Sequence, residues 1–344
     1  MLSQSEDLQQ EDNWFEGIKP RARRKYAKRP MKGRARELSV EEGNATVAEI
    51  FPNQAAVRPD NGQARHLCGY RMSTLAFNGT SRERSPVCVG DRVRVEASVI
   101  VGRCARRNAL VRSAPNARNP LLHAVAANLD ALVVVAAACE PDFTPGIVDR
   151  FLVAASAQNI PAILCINKSD LLVAGADKPW LRYAAAGVAL VEASAMQADG
   201  AEALARLVRG KAVAFCGHSG VGKTSLLRRL LGDATLGRIG ELSAATGMGK
   251  HTTTGAVMLP GPEGSSWIDT PGIMNFTLVG VDRAGLLQHF PELQEASACC
   301  AEGCLHDAEP DCALLGLPRH RSYREILAVL KDSLPPPDQP DDER

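Results

Sequence analysis

The chain has 344 residues, 45% of them hydrophobic, and a formal net charge of +1. That is enough apolar material for two or three domains with cores, while no long uncharged apolar run suits a membrane span and no apolar leader with a small-residue cleavage site precedes the rest. A soluble cytoplasmic protein is the expectation, and six of the ten cysteines, Cys68, Cys88, Cys104, Cys139, Cys165 and Cys216, are scattered singly as buried reduced thiols would be.

The neutral balance hides uneven ends. Residues 19–36 carry ten basic side chains and no acidic one, and residues 333–344 are rich in proline and aspartate. Neither composition buries enough to offset the entropy of ordering, so residues 1–44 read as a disordered basic arm and residues 333–344 as a disordered tail. The arm is either a solvated tail or a polybasic segment for nucleic-acid phosphates.

Over residues 45–114 short apolar alternations appear between turn signals, at 46–50, 66–70 and 91–96. About five such strands fit a small OB-type barrel, a fold that grips RNA with a basic face. Arg71, Arg82, Arg84, Arg103, Arg106 and Arg107 are the candidates for that charge. Aromatic residues are few here, so an ordinary charged surface is the alternative.

Residues 115–282 alternate between β-rich runs and helical spacing. Runs at 129–137 and 160–166 flank Ile147, Val148, Phe151, Leu152 and Ala155, which recur as one helix face, giving a βαβ unit. A third run, 212–216, leads into Gly217-His218-Ser219-Gly220-Val221-Gly222-Lys223-Thr224, with a helix expected over 224–231. Strand before and helix after are the context a phosphate loop requires. Its glycines let backbone N–H groups close on phosphates, Lys223 meets the β- and γ-phosphates, and Thr224 offers a hydroxyl to Mg²⁺, with Ser225 next to it on the helix. His218 reads as a filler of the loop.

Asn167-Lys168-Ser169-Asp170 ends the second run, and a carboxylate at its fourth position accepts from both guanine N1–H and the exocyclic amine, groups that adenine lacks. Ser194-Ala195 supplies backbone for the guanine carbonyl. The guanine motif precedes the phosphate loop, the reverse of the usual order, which reads as a circularly permuted GTP-binding domain; permutation preserves a site when the old termini lie close. Asp269-Thr270-Pro271-Gly272 then provides a Mg²⁺-water carboxylate, Asp269, and a γ-phosphate-sensing N–H, Gly272. Between them, Gly249-Lys250-His251-Thr252-Thr253-Thr254 stands where a threonine must reach Mg²⁺, Thr253 first and Thr252 next. Ile273 occupies the place of a water-orienting glutamine, and an aliphatic side chain cannot orient water. His251 is therefore the candidate catalytic group.

Beyond residue 283 four cysteines crowd together. Cys299, Cys304, His306 and Cys312 give C-x4-C-x-H-x5-C, the donor set of a closed structural Zn²⁺ site, with the adjacent Cys300 as the alternative first ligand. The site is expected to hold a small helical domain, 283–332, that includes helices near 284–293 and 323–330.

The permuted order, Gly-Lys-His-Thr-Thr-Thr, Asp-Thr-Pro-Gly-Ile and the Cys/His spacing after a small β domain together resemble the RsgA family, also called YjeQ, the small-subunit-dependent GTPases of bacterial ribosomes. The resemblance spans roughly residues 45–330. It implies a multidomain α/β protein with an OB-fold, a permuted GTPase domain and a zinc domain, hydrolysing GTP to GDP weakly alone and strongly on the small ribosomal subunit and its rRNA. It also implies late small-subunit maturation, with His251 as the catalytic histidine. Lys250, Cys300 and Ser169 depart from the common pattern without removing a required group. Nothing suggests an obligate dimer, so a monomer is expected. A GTP-sensing RNA-binding module with incidental hydrolysis is the alternative; an ATP-using kinase is disfavoured by Asp170.

Overall fold

The structure is a computed structural model that describes residues 38–70, 85–113, 122–232, 255–270 and 278–330. The basic arm at 19–36, Arg71, Arg82, Arg84, the segment with His251, Thr252 and Thr253, Gly272 with Ile273, and the tail at 333–344 lie outside these residues.

Five strands close on themselves: β1 (Ala45–Phe51), β2 (Gln54–Pro59), β3 (His66–Gly69), β4 (Arg92–Glu96) and β5 (Val99–Arg103). β1 pairs with both β2 and β4, β2 with β3, β3 with β5 and β5 with β4, the closed order of an OB barrel. Alternation explains the filling: Ala45, Val47, Ala55, Val57, Val93 and Ile100 point inward with Cys68 and Val87. Leu38 to Asn44, expected in the disordered arm, belong to this barrel. Leu38 N–H donates to Arg103 O at 3.2 Å, and the Asn44 side chain brackets Val95, donating to its carbonyl at 3.0 Å and accepting from its N–H at 2.8 Å.

Two more strands, β6 (Ala109–Ser113) and β7 (Leu122–Ala127), form a separate antiparallel ribbon. A boundary at residue 114 therefore falls between two paired strands. The ribbon is tied back to the barrel side, where Ala127 N–H donates to Val89 O at 2.8 Å.

The α/β domain follows as β8 (Ala131–Ala137), α1 (Pro145–Ala157), β9 (Ala162–Asn167), α2 (Leu181–Ala185), β10 (Ala189–Glu192), α3 (Glu202–Val208), β11 (Ala212–Cys216), α4 (Lys223–Leu231), β12 (Val257–Pro260) and β13 (Ser266–Asp269). In space the strands run β10-β9-β8-β11-β13-β12, parallel except for β12. β8 shows why such strands are wholly apolar: Leu132, Val134 and Ala136 face one core with α1, whereas Ala131, Val133, Val135 and Ala137 face the other with residues of α3 and α4. The chain runs outward from β8 to β10, then returns to β11 beside β8. That reversal is a switch point, where loops at the carboxyl ends of strands leave a crevice for ligands.

A 3₁₀ turn (Leu286–His289), α5 (Pro291–Ser297) and α6 (His320–Leu330) make the C-terminal module. The helix expected near 284–293 is broken because Pro291 starts a new one. Phe290, Leu293, Tyr323, Ile326 and Leu327 share a core with Val148, Phe151 and Leu152 of α1, so the module is packed into the α/β domain. One buried ion cluster fixes this seam. Arg319, 5% exposed, donates to Asp149 Oδ1 at 2.7 Å and Glu292 Oε1 at 2.8 Å, and its guanidinium lies over the rings of Tyr183 and Phe290. Tyr183 O–H donates to the other Asp149 oxygen at 3.2 Å.

A second cluster changes the reading of the barrel. Arg106 donates to Oδ1 and Oδ2 of the buried Asp91 at 2.6 and 2.8 Å, and Cys88 N–H donates to Oδ2 at 2.7 Å. Arg103 is 6% exposed and donates to Pro86 O at 3.1 Å. Arg107 bonds Asp130 and the Asn128 carbonyl, and Asp130 in turn accepts from Ala212 N–H at the start of β11. Arg103 and Arg106, expected to form an RNA-facing surface, are instead withdrawn into the joints of the fold, whereas the Arg107 side chain stays 60% exposed.

Candidate functional site

The phosphate loop leaves β11 between β8 and β13. Gly217 has φ of 145°, and a Cβ there would lie 2.1 Å from Val135 O; Gly222 has φ of 86°, and its Cβ would lie 2.4 Å from Asn167 Nδ2. Only glycine permits this backbone and this approach, so both positions are dictated by the fold. Gly222 caps α4, whose first turn contains Lys223, Thr224 and Ser225. Lys223 Nζ donates to the Gly217 and His218 carbonyls at 2.7 and 3.0 Å, which holds its charge inside the curl of the loop. Burial lowers its pKa, an effect opposed by Asp269. His218 is half-buried and its Nδ1 lies 2.8 Å from Ser219 O; it adjoins a cavity lined by Pro141, Thr144, Ile147, Val148 and Phe151. Val221 is buried against the second core.

Asn167 is a latch. Its Nδ2 donates to Val221 O in the phosphate loop at 2.8 Å, and its Oδ1 accepts from Ala195 N–H at 3.2 Å. One side chain thus ties together the guanine motif, the phosphate loop and the Ser194-Ala195 turn. Lys168, at positive φ of 62°, donates to the Glu140 carbonyl on the bend after β8. Ser169 Oγ donates to Ala193 O at 2.9 Å, and Ser194 Oγ accepts from the N–H groups of Met196 and Gln197 at 3.1 and 3.2 Å. Arg229 on α4 holds the same turn through the carbonyls of Ala195 and Met196.

Two carboxylates at this crevice behave alike. Asp170 Oδ1 and Asp269 Oδ1 are both buried without a hydrogen-bond partner among the described residues. A buried acceptor left unmade costs about 1–3 kcal/mol, a cost structures carry at sites meant for something else. For Asp170 the fitting donors are the paired N–H groups of a guanine edge. For Asp269 the fitting group is a hydrated cation: burial raises its carboxyl above the usual value, the charge of Lys223 opposes this, and Thr224 stands on the adjoining helix. The donor chemistry therefore fits Mg²⁺ beside a polyphosphate. Thr270 Oγ1 donates to Phe215 O at 2.5 Å, which fixes the end of β13 against β11.

Sequence reasoning missed Lys178, Trp180 and Glu192. Lys178 Nζ donates to both Glu192 oxygens at 3.0 and 2.8 Å, and Trp180 Nε1–H donates to Oε1 at 2.8 Å. Burial raises the Glu192 carboxyl, but the bonds from Lys178 and Trp180 prevail and lower it. This group pins the chain after Asp170 onto β10. Its only sequence signal was an isolated tryptophan between Pro179 and Leu181.

The C-terminal module gathers four metal-binding side chains: ligand atoms of Cys300, Cys304, His306 and Cys312 lie within 4.8 Å of one another. Cys300 stands where Cys299 was expected. The chain keeps turning beyond α5, with Cys299 N–H bonded to Ala296 O and Cys300 N–H to Ser297 O, so the two neighbours point different ways and Cys299 is exposed. Cys312 Sγ lies 3.9 Å from Cys300 Sγ and 3.6 Å from His306 Nδ1. Burial first, then the neighbouring thiols, push the Cys312 thiol up to about 11. Three thiols and an imidazole converging this closely fit a tetrahedral thiophilic cation, for which Zn²⁺ has the right donor set. His320 approaches the His306 carbonyl at 3.0 Å and steadies the loop from α6. Burial raises the thiols of Cys68, Cys104 and Cys216, and that of Cys165 to about 12, which keeps these four inert. No helix among the described residues is long and apolar enough to cross a membrane.

Comparison with known proteins agrees with this geometry. Residues 103–279 match the family model described as RsgA GTPase. A small ribosomal subunit biogenesis GTPase RsgA from Azotobacter vinelandii is 37% identical over 311 residues, covering 85% of this chain and 87% of that one. One of the same name from Chromohalobacter salexigens is 42% identical over 249 residues, covering 69% and 72%. Among solved structures, YjeQ from Thermotoga maritima superposes with a TM-score of 0.61 at 25% identity, over 85% of this chain and 99% of that one. YloQ, a circularly permuted GTPase, matches in fold with a TM-score of 0.58, over 85% and 96%. From the permuted crevice, the closed barrel and the extent of these matches, the chain belongs to the RsgA GTPase family.

Proposed function

We propose that the protein binds the small ribosomal subunit and its rRNA during late maturation and hydrolyses GTP to GDP and phosphate there, with turnover driving its release. The observation that carries this reading is the pair of buried, unpartnered carboxylate oxygens on Asp170 and Asp269, set at strand ends on either side of the phosphate loop. One is matched to guanine and the other to a hydrated cation beside phosphates. The family's printed name supplies the ribosomal context.

In this reading Asp170 accepts from guanine, Asn167 keeps the loops in register, and the Ser194-Ala195 turn offers its backbone to the guanine carbonyl. Lys223 leaves the Gly217 and His218 carbonyls for the β- and γ-phosphates, and the N–H groups from Ser219 to Ser225 line the phosphate chain. Thr224, Asp269 through water, and Thr253, with Thr252 the next choice, would hold Mg²⁺; when bound, that ion supplies positive charge to the phosphate oxygens. Gly272 N–H senses the γ-phosphate. His251 orients the attacking water at its imidazole, the task Ile273 cannot perform. Cys300, Cys304, His306 and Cys312 would hold one structural Zn²⁺, and the protein acts as a cytoplasmic monomer.

The test is GTP turnover by His251→Ala with saturating small subunits. The expected result is nucleotide affinity within about twofold of wild type and loss of most of the stimulation, on the order of 10²-fold or more, as removal of a general base or water-orienting group costs. Equal stimulation of variant and wild type sinks the role of His251.

A further inference from the structure

The barrel joins the α/β domain by strand pairing, not through a linker alone. β12 would be the edge of the six-stranded sheet, and β1 of the barrel occupies that edge, with Glu49 opposite Val257. Val257 is in turn opposite Asp269 on β13. Glu49, Val257 and Asp269 thus form one row across three strands, running from the barrel wall to the candidate cation-binding carboxylate. A bulge between Val47 and Glu49 makes this possible. Val47 stays in the barrel interior, while Ala48 turns outward into a core with Ala256, Met258 and Ile268.

The other end of the hairpin is held as well. Arg58 on β2 donates from Nη2 to Oγ of Ser266, the first residue of β13, at 2.9 Å. Ser266 is 6% exposed and stands opposite Pro260. Barrel strands therefore grip β12 at its first residue and β13 at its first residue, which ties the barrel to both strands of the hairpin that carries Asp269. Packed strands shift between discrete arrangements and are poor at absorbing small motions.

We propose that Arg58 is a positioning residue that couples binding of the small ribosomal subunit to the nucleotide state sensed at Asp269. The inference rests on the small-subunit reading above. Arg58 touches neither nucleotide nor cation; it acts by fixing the β12–β13 pair to the barrel. By linkage, a protein that binds the subunit better in one nucleotide state must also shift nucleotide affinity when the subunit is bound.

The experiment measures binding of the full chain to purified small ribosomal subunits with a non-hydrolysable GTP analogue and with GDP, for wild type, Arg58→Met, Ser266→Ala and the conservative Arg58→Lys. Wild type is expected to prefer the GTP-like state by a factor in the range of about 5- to 150-fold, typical of coupled sites. Arg58→Met and Ser266→Ala, which remove the same bond from opposite sides, are expected to bring that ratio close to one, leaving nucleotide affinity without subunits within about twofold, and Arg58→Lys to restore part of the ratio. An unchanged ratio in a folded variant, or equal weakening in both nucleotide states, overturns the inference. A wild-type protein with no nucleotide-dependent subunit binding overturns the functional reading itself.

Discussion

The nucleotide crevice and the seams between modules both bury aspartates, yet they treat them in opposite ways. In the seams, Asp91 and Asp149 have both carboxylate oxygens occupied by arginine, tyrosine or backbone donors. In the crevice, Asp170 and Asp269 each keep one buried oxygen without a partner among the described residues. A filled carboxylate is mortar, because removing one partner strands a charge. An unfilled one costs stability in the isolated protein, and its cost is offset only when a ligand arrives. Among these four aspartates, the two in the seams are fully buried and have donors on both oxygens, whereas the two in the crevice are partly buried and have an oxygen to spare.

The largest effect that sharpens this contrast lies at the C-terminal seam. Cys300→Ser is expected to abolish stoichiometric zinc in the purified protein, while Cys299→Ser retains it; binding to structural sites of this donor set contributes on the order of 10 kcal/mol. Metal analysis that found the reverse would return the ligand role to Cys299. Next, Arg319→Ala should destabilise the fold by about 3–5 kcal/mol, because it leaves the buried Asp149 without its cation and the partly buried Glu292 without its partner. Urea unfolding reads this directly, and a loss below about 1 kcal/mol would place the cluster with surface ion pairs. Asp269→Asn and Lys223→Ala should each lower GTP turnover about 10²-fold or more, a loss of roughly 3 kcal/mol in transition-state stabilisation, without lowering the unfolding midpoint.

The smallest effect is a pH dependence. The Asp269 carboxyl lies above its ordinary 3.8 because burial disfavours the anion. As pH rises from 3.8 through the folded value, the unfolded chain gives up this proton first, so wild type loses stability over that interval and stays lower above it. Asp269→Asn removes the loss. It should be more stable than wild type at neutral pH without nucleotide, with the difference vanishing below about pH 3.8. A variant less stable at pH 7 would mean that Asp269 is mortar after all.

Much of the crevice was legible because its chemistry is local. The phosphate loop and the guanine motif sit in contiguous residues, and β11 and α4 have the expected strand and helix on either side of Gly217 to Gly222. The barrel was legible from alternation and turn spacing, although Leu38 to Asn44 were lost to the basic composition before them. The seams were not legible. Asp149 and Arg319 are far apart in the chain, and nothing near either one announces the other. Arg103, Arg106 and Arg107 read as an RNA-facing surface because a single sequence displays charge without its partners. The choice between Cys299 and Cys300 turned on how the chain rotates after α5, which adjacent identical residues cannot reveal.

The most direct measurement of the central claim is hydrolysis by the purified protein of GTP and of ATP, each alone, with small ribosomal subunits and with large ones. The account predicts slow GTP turnover alone, strong stimulation by small subunits only, and no comparable turnover of ATP. Intact GTP binding with no stimulation by small subunits would contradict it.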